Sequence, residues 1–178
     1  MARDVRLNPQ DLYEILFTHY GPQHWWPGES CFEIMVGAIL TQQTAWFNVE
    51  KAIANLKAAG AMEPEKIAAM PKEMLEELIR PSGFYRQKSR YLGAMCRHLV
   101  EEYGGDPDRL FSRPLDELRE ELLKLPGIGP ETADSMLLYA GKKPTFVVDA
   151  YTVRIGKRTG VLDADDYYLG KGIFEDAL

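Results

Sequence analysis

Apolar residues recur at helical spacing along nearly the whole chain, and residues that start or stop helices bound each stretch. The first predicted helix begins at Asn8–Pro9 and ends at Gly21–Pro22. The second follows Ser30 and is apolar nearly all round through Leu40, which predicts the buried centre of the fold. Further helices are predicted over about Thr44–Ala59, Pro64–Met70, Pro71–Ile79 and Arg86–Tyr103, after Pro114, Pro130 and Asp149, and over Tyr168–Leu178. No alternating strand pattern of useful length interrupts them, so the predicted fold class is all-α.

A glycine-rich turn, LPGIGPETAD, stands between two of the predicted helices. Gly127 and Gly129 are predicted to turn the chain with positive φ and to let another molecule approach the backbone closely. Pro130 then occupies the first position of a helix. Such a turn directs unpaired backbone N–H groups outward at the positive end of the helix, where a phosphate can bind. Because no side chain reads sequence there, the turn suits any nucleic-acid strand.

The charge of the chain is negative, yet its basic residues are grouped. The sequence has 178 residues, 46% of them apolar, and a net charge of −6 from 27 acidic and 21 basic side chains. A net negative charge argues against a uniformly basic nucleic-acid-binding surface. Two basic groups accompany motifs: Lys142, Lys143, Arg154, Lys157 and Arg158 around Asp149, and Arg80, Arg86, Lys88 and Arg90 around the SGFY segment. Each could equally be part of an ordinary solvated helix face.

The motif LPGIGPETAD…VVDAYTVRI, with the hairpin, its spacing and Asp149 together, resembles the signature of the endonuclease III superfamily of DNA glycosylases. The resemblance continues through Phe32–Thr44 and Arg80–Leu92, so it covers most of the chain. It implies a helix-hairpin-helix glycosylase fold, with two helical subdomains flanking a DNA-binding cleft. It also implies that the protein is a monomer whose partner is double-stranded DNA. No membrane association is expected, and the expected location is the cytoplasm, in association with the nucleoid. The expected DNA contacts are Gln42, Gln43, Lys88, Gly127, Ile128, Gly129, Glu131 and Thr132.

Two of these contacts have ordinary alternatives. Gln43 matches the family's wedge position, where a glutamine fills the gap left by an extruded base and hydrogen-bonds its orphaned partner. Adjacent glutamines are otherwise common on protein surfaces. Lys88 could contact a phosphate or lie on an unremarkable helix surface.

Asp149 has both a structural and a chemical interpretation. Aspartate before a helix is among the best N-caps, a role that requires no chemistry. In the glycosylase interpretation, a fixed carboxylate stabilises the positive charge that develops at C1′ as the base departs. It can also orient or deprotonate the attacking water. The two roles are compatible, and the resemblance favours Asp149 as the catalytic residue.

Glu131 bears on the reaction type. In bifunctional glycosylase/lyase members of the family, the residue just before the Thr-Ala of the motif is a lysine that attacks C1′ and forms a Schiff base. This sequence has Glu131 there, and a carboxylate cannot form an imine. The departure predicts a monofunctional glycosylase that uses water and leaves an abasic site, without strong lyase activity.

The aromatic residues of HWWPGESCFEIMVGAILTQQTAW bear on the substrate. With the RPSGF and ETADSMLLYA segments, they resemble the 3-methyladenine DNA glycosylase branch. That resemblance implies a base pocket of Trp26, Pro27 and Trp46, in which the two indoles sandwich the base. A cationic N-methylated purine between indole faces gains about 1–2 kcal/mol of cation–π attraction. The alternative is that these tryptophans merely pack helices together.

Other functions remain open at this stage. The adenine-mismatch branch also has a QQT stretch, but carries a catalytic glutamate where this chain has Ala38. A thymine-mismatch glycosylase is compatible with an aromatic pocket. An endonuclease III-type pyrimidine activity is disfavoured by Glu131. A helix-hairpin-helix module without chemistry needs neither the spaced aspartate nor the aromatic pair.

Three segments are predicted: 1–28 as the N-terminal helix and loop of the second subdomain, 29–140 as the helical barrel subdomain with the hairpin at about 114–140, and 141–178 as the catalytic-aspartate loop and C-terminal helices. Many family members continue further, often with four cysteines that bind an iron–sulfur cluster. The chain stops at Leu178 inside a predicted helix, so a fragment is expected. Cys31 and Cys96 lack metal-ligand spacing and are predicted to be buried thiols. No cofactor is expected within these residues.

Overall fold

The structure, a computed structural model, describes residues 7–178, and every regular element in this range is a helix. The predicted all-α fold is therefore confirmed. The helices are α1 (Pro9–Tyr20), α2 (Cys31–Leu40), α3 (Trp46–Ala58), α4 (Pro64–Ala69), α5 (Lys72–Leu78), α6 (Tyr85–Tyr103), α7 (Pro107–Phe111), α8 (Leu115–Leu123), α9 (Pro130–Ser135), α10 (Ala150–Thr159) and α11 (Tyr167–Glu175).

Side-chain caps explain several of the helix starts. Asn8 Oδ1 accepts a hydrogen bond from Asp11 N at 2.8 Å, and Ser30 Oγ accepts one from Glu33 N at 3.1 Å. Each bond satisfies a backbone donor that the first turn of a helix leaves unpaired. These caps are short-range features, which is why the sequence places the starts of α1 and α2 correctly.

Three local features depart from the sequence-based expectations. Helix α7 was not predicted, because its five residues are too few to show helical periodicity. A 3₁₀ turn at Arg80–Ser82 precedes α6. Helix α9 continues as a π-helical segment over Met136–Ala140, so that its last turn is wider than an α-helical one.

The chain divides into two units. The first comprises the described residues up to Trp25 together with Pro144–Leu178, and the second comprises Trp26–Lys143. Because unit boundaries follow spatial contacts, both ends of the chain contribute to the first unit. Helices α2–α9 belong to the second unit, whereas α1, α10 and α11 belong to the first.

Each unit has its own apolar core. In the second unit, α2 is buried from Phe32 to Leu40, as the sequence predicts for a central helix. The first unit has a smaller core of Leu12, Leu162 and Phe174, with Phe146 stacked on Phe174 at a centroid distance of 4.3 Å. Among the described helices, none has the length and apolar character that a membrane crossing requires.

Candidate active site and nucleic-acid interface

The hairpin between α8 and α9 is a tight turn with one left-handed glycine. Gly127 has φ +76°, and a Cβ there would overlap the ring of Tyr91. Gly129 has φ −90°, so the prediction of positive φ is wrong for this residue. A Cβ on Gly129 would meet no atom within 4 Å. Gly127 is thus required by the fold, whereas Gly129 leaves open space beside the backbone.

Two backbone N–H groups of the hairpin differ from that of Ile128, which donates to Leu125 O at 3.2 Å. Among residues 7–178, no backbone carbonyl accepts a hydrogen bond from Gly127 N or Gly129 N. The Ile128 side chain is 4% exposed and packs in the core, so only its backbone can contact DNA as predicted. Glu131 lies exposed on the first turn of α9. The turn therefore presents the main-chain N–H groups of Gly127 and Gly129, which no backbone carbonyl of the described residues binds.

Gln42 joins the TQQT loop to the hairpin. Its Nε2 donates to Gly127 O at 2.9 Å and to Thr132 Oγ1 at 3.0 Å. Thr132 is itself 7% exposed. The Thr132 side chain is therefore buried, which corrects its prediction as a DNA-contacting side chain, whereas Gln42 is only half-buried and its DNA contact stays a prediction. Gln42 fixes the loop that carries Gln43 against the hairpin.

Gln43 and Phe84 are exposed residues with unusual backbone conformations. Gln43 has φ +53° and Phe84 has φ +45°, both in the left-handed region that non-glycine residues seldom adopt. Phe84 is 60% exposed at the start of α6 and lines a surface groove of about 360 Å³ with Tyr85, Arg86 and Gln87. Sequence reasoning missed Phe84, although its place in the SGFY loop between two arginines was a usable signal.

Lys88 does not lie at the surface. Its side chain is 2% exposed, and its Nζ donates to Leu40 O at 2.8 Å and Ser82 O at 2.7 Å. Burial lowers the pKa of this ammonium group to about 8. The predicted phosphate contact of Lys88 is corrected, because the ammonium group lies inside the protein with two carbonyl partners.

Trp26, Trp46 and Tyr139 form an aromatic cluster on the second unit. The Trp26 and Trp46 rings meet edge to face, with centroids 5.3 Å apart and planes at 85°. The Tyr139 ring lies 5.4 Å from the Trp26 ring and is carried by the π-helical segment. The two indoles touch each other, so the predicted arrangement, in which they sandwich a base between them, is not present in this structure.

A cavity of about 220 Å³ lies beside Trp46. Its lining is Pro27, Glu33, Trp46, Glu50, Ile53, Ala54 and Lys57. Trp46 Nε1 donates to Glu50 Oε1 at 3.1 Å, which orients the indole. Lys57 is bound by both Glu29 and Glu33, at 2.8 and 2.9 Å, and these hydrogen bonds raise its pKa. The cavity thus combines an aromatic wall with the Glu50 carboxylate and the Glu33–Lys57 ion pair.

Asp149 is the N-cap of α10. Its Oδ1 accepts hydrogen bonds from Thr152 N at 2.7 Å and from Thr152 Oγ1 at 2.8 Å. Among the described residues, Oδ2 accepts no hydrogen bond, and the side chain is only partly buried. The cap role therefore uses one carboxylate oxygen and leaves the other accessible for chemistry.

Residues 36–169 match the sequence model of the HhH-GPD superfamily base excision DNA repair proteins. The chain is 47% identical over 175 residues to a Methanocaldococcus jannaschii protein whose name includes the words DNA repair glycosylase, covering 94% of this chain and 77% of that protein. It is 40% identical over 130 residues to endonuclease III of Thermotoga maritima, covering 72% of this chain and 56% of that protein.

Solved structures share the fold over nearly the whole chain. H. pylori 3-methyladenine DNA glycosylase bound to 1,N6-ethenoadenine superposes with a TM-score of 0.86 at 32% identity, covering 96% of this chain and 81% of that one. A trapped endonuclease III–DNA covalent intermediate gives a TM-score of 0.81 at 28% identity, covering 97% and 78% of the two chains. DNA is thus bound by proteins of this fold.

The chain belongs to the HhH-GPD superfamily of base excision DNA repair proteins, and within it to the DNA glycosylases. The superfamily identified by resemblance is therefore confirmed, and so is the glycosylase fold. The similar proteins include both a 3-methyladenine DNA glycosylase and endonuclease III. Membership of the superfamily therefore defines neither the damaged base nor the nucleophile.

Proposed function

We propose that the protein is a monofunctional DNA glycosylase that hydrolyses the N-glycosidic bond of alkylated purines of the 3-methyladenine type in duplex DNA. The observation that carries this proposal is the cavity beside Trp46, which offers an indole wall together with the Glu50 carboxylate and the Glu33–Lys57 ion pair. A cationic base gains attraction from the aromatic face and from the Glu50 carboxylate, whereas the Glu33 carboxylate is paired with Lys57 in the same lining. A neutral base gains less from either.

The proposed base position differs from a sandwich between two indoles. Because Trp26 and Trp46 contact each other, the base binds on the cavity side of Trp46, with Pro27 at its edge. Trp26 then supports Trp46 through the edge-to-face contact, and Tyr139 contacts Trp26 in turn. Pro27 and Trp46 keep their proposed base-binding roles, whereas Trp26 becomes a supporting residue.

The proposed chemistry needs no acid to protonate the leaving base. An N-methylated purine is already cationic, so it departs with the electrons of the C1′–N bond as a neutral molecule. The second carboxylate oxygen of Asp149, which is not used by the cap, stabilises the positive charge that develops at C1′ and orients a water molecule in the proposed reaction. The water oxygen bonds to C1′ and its proton passes to the carboxylate or to solvent. The product is an abasic site.

Glu131 supports water as the nucleophile. It occupies the motif position of the lysine that forms a Schiff base in bifunctional members, and a carboxylate cannot form an imine. Its exposure on the first turn of α9 also places a negative charge near the hairpin. The enzyme that we propose therefore leaves the DNA strand intact after base release.

The hairpin, Gln43 and Phe84 are the proposed DNA contacts. The backbone N–H groups of Gly127 and Gly129 bind phosphates, and the open space at Gly129 allows the strand to approach. Gln43 enters the gap left by the extruded base, and Phe84 inserts its ring next to a base step. Base extrusion is required because the glycosidic bond is otherwise inaccessible within the stack.

The iron–sulfur cluster of some family members does not fit the residues of this chain. A cluster requires four thiolate ligands, and the sequence has only Cys31 and Cys96. Burial raises the pKa of both thiols, to about 12 for Cys31, which disfavours the thiolate form. The proposed reaction therefore includes no step that depends on such a cluster.

A panel of duplexes, each with one lesion, tests the substrate proposal. The panel contains alkylated, oxidised, deaminated and mismatched bases, and released bases are identified by mass spectrometry. We expect release of 3-methyladenine in preference to neutral lesions. Release of only oxidised pyrimidines or mismatched thymine would overturn the proposed substrate while leaving the enzyme class intact.

An endonuclease III-type bifunctional glycosylase is the second candidate, because the chain is 40% identical to the Thermotoga maritima endonuclease III. Borohydride reduction during turnover distinguishes the two candidates. A Schiff base would be trapped as a covalent protein–DNA adduct, whereas the water-based mechanism yields none. We expect no adduct with wild-type protein and an adduct with a lysine-bearing family member as a positive control.

A further inference from the structure

Lys88 connects two segments that are far apart in sequence. Its ammonium group donates to Leu40 O, at the C-terminal end of α2, and to Ser82 O, in the 3₁₀ turn before α6. Leu40 is fully buried and Ser82 is 0% exposed, so both carbonyls are shielded from water. A buried carbonyl at a helix end needs a donor, and a cation at a helix C-terminus is favourable.

Each of these carbonyls lies just before an exposed non-glycine residue in the left-handed region, a conformation that the described residues show also at His24 and Lys142. Gln43 follows Leu40 by three positions, and Phe84 follows Ser82 by two. Their φ angles of +53° and +45° are strained conformations for residues with side chains. Such conformations persist only where the surrounding structure holds them.

We infer that Lys88 is a positioning residue that sets the distance between Gln43 and Phe84, so that both enter the DNA together when a base is extruded. This inference rests on the proposed function for its consequence in catalysis. A single ammonium group fixes both segments, because the same Nζ binds both carbonyls. Gln42 completes the arrangement by tying the Gln43 loop to the hairpin through Gly127 O.

The cost of burying an ammonium group supports this role. A methionine of similar length would fill the same apolar space without desolvating a charge. Burial lowers the pKa of Lys88, because the ammonium group loses its hydration inside the protein. What lysine provides, and methionine does not, is a donor to two carbonyls that lie in different segments.

Hydrogen exchange without DNA tests the connection itself. In Lys88→Met, we expect amide exchange in residues 41–44 and 82–85 to accelerate by about tenfold or more, as expected for the loss of a buried hydrogen bond. Exchange in α8 and α11 should be unchanged. Lys72→Met, which removes an exposed lysine on α5, is the matched control. Unchanged exchange in both segments of Lys88→Met would overturn the inference.

A double-mutant cycle tests the consequence for catalysis. Lys88→Met should slow single-turnover excision from a fully paired duplex by about tenfold or more, yet slow excision opposite an abasic site much less, because that lesion needs less help to leave the stack. In the Gln43→Ala, Phe84→Ala background, Lys88→Met should add no further loss. If Lys88 only stabilised the fold, Lys88→Met would slow excision equally from both duplexes, and equally in the wild-type and the Gln43→Ala, Phe84→Ala backgrounds.

A second variant replaces Lys88→Met if that protein does not fold, and hydrogen exchange separates the role of Lys88 from the proposed function. If Lys88→Met does not fold, Lys88→Gln, which retains a shorter donor, is used in both experiments and should give intermediate effects. If the wild-type protein excises no base, the proposed function fails, while hydrogen exchange still decides whether Lys88 holds both segments. The positioning role is contradicted if Lys88→Met slows excision equally from the fully paired duplex and from the duplex with the lesion opposite an abasic site, while amide exchange is unchanged.

Discussion

Asp149 has two roles that one substitution can separate. Asparagine caps helices about as well as aspartate does, so Asp149→Asn should change the free energy of unfolding by less than about 0.5 kcal/mol. The loss of the carboxylate should slow base excision by about 10²–10⁴-fold, because charge stabilisation and water orientation are lost. Single-turnover kinetics and thermal denaturation measure the two effects.

Asp166→Asn is the matched control for this substitution, since Asp166 caps α11 in the same way through Leu169 N at 2.8 Å. It should leave excision unchanged. Full activity in Asp149→Asn would reduce Asp149 to a helix cap.

Trp46 is expected to distinguish cationic from neutral bases. Trp46→Ala should lower excision of 3-methyladenine by about tenfold or more, because a desolvated cation–π contact contributes about 1–2 kcal/mol. Binding to a duplex with an abasic site should change little, since no base is present to contact. Phe47→Ala is the control, because Phe47 is adjacent but 63% exposed. Equal losses in excision and abasic-site binding would indicate that Trp46 only packs the fold.

Lys88 predicts a pH dependence of stability. Its pKa is about 8 when folded and 10.5 when unfolded, so the unfolded chain binds more protons between these values. The free energy of unfolding should therefore gain a contribution of about 1–3 kcal/mol as pH rises from 8 to 10.5. Denaturant titrations of the wild type and Lys88→Met across this range measure it. The same pH slope in both proteins would contradict the assignment.

Single residues show where sequence reasoning ends. The cap at Asn8 and the cap at Asp149 are visible in sequence because their partners lie three residues away. Lys88 binds Leu40 O, 48 residues away, and Gln42 binds Gly127 O, 85 residues away, and these contacts follow only from tertiary structure. An isolated lysine or glutamine in a sequence looks like a surface residue, so both were predicted to contact DNA.

At the level of elements, the hairpin offers a pair of glycines with different constraints. Gly127→Ala should destabilise the protein by about 1–3 kcal/mol, because of its positive φ and the overlap with Tyr91. Gly129→Ala should change stability by less than about 1 kcal/mol, since its φ is −90° and the space beside it is open.

Gly129→Ala should nevertheless weaken binding to an abasic-site duplex by about tenfold, because a methyl group then stands between the backbone and the phosphate. Fluorescence anisotropy and chemical denaturation measure affinity and stability. Unchanged DNA affinity in a stable Gly129→Ala protein would contradict the proposed phosphate contact.

Long helices were predicted within one or two residues, and short irregular elements were not. The prediction for α1 came from Asn8, Pro9 and Gly21, which start and stop the helix locally. The 3₁₀ turn at Arg80–Ser82 and the π-helical segment at Met136–Ala140 carry no such markers. The latter carries Tyr139, so the extent of the aromatic cluster could not be predicted from the chain alone.

At the level of the whole molecule, the superfamily was predictable and the detailed site was not. The motif around the hairpin and Asp149 identifies the family because its residues are close in sequence. The edge-to-face contact of Trp26 and Trp46 and the charged lining beside Trp46 depend on how α2 and α3 pack. The net charge of −6 is compatible with DNA binding only if a few local contacts dominate, as the hairpin provides.

Product analysis with a duplex that carries a single 3-methyladenine is the most direct test of the account. Free base and strand integrity are measured in the same reaction, before and after alkali. The account predicts that 3-methyladenine is released while the strand remains unbroken until alkali cleaves it at the abasic site. Strand cleavage concurrent with base release, or an intact lesion after incubation with folded protein, would contradict it.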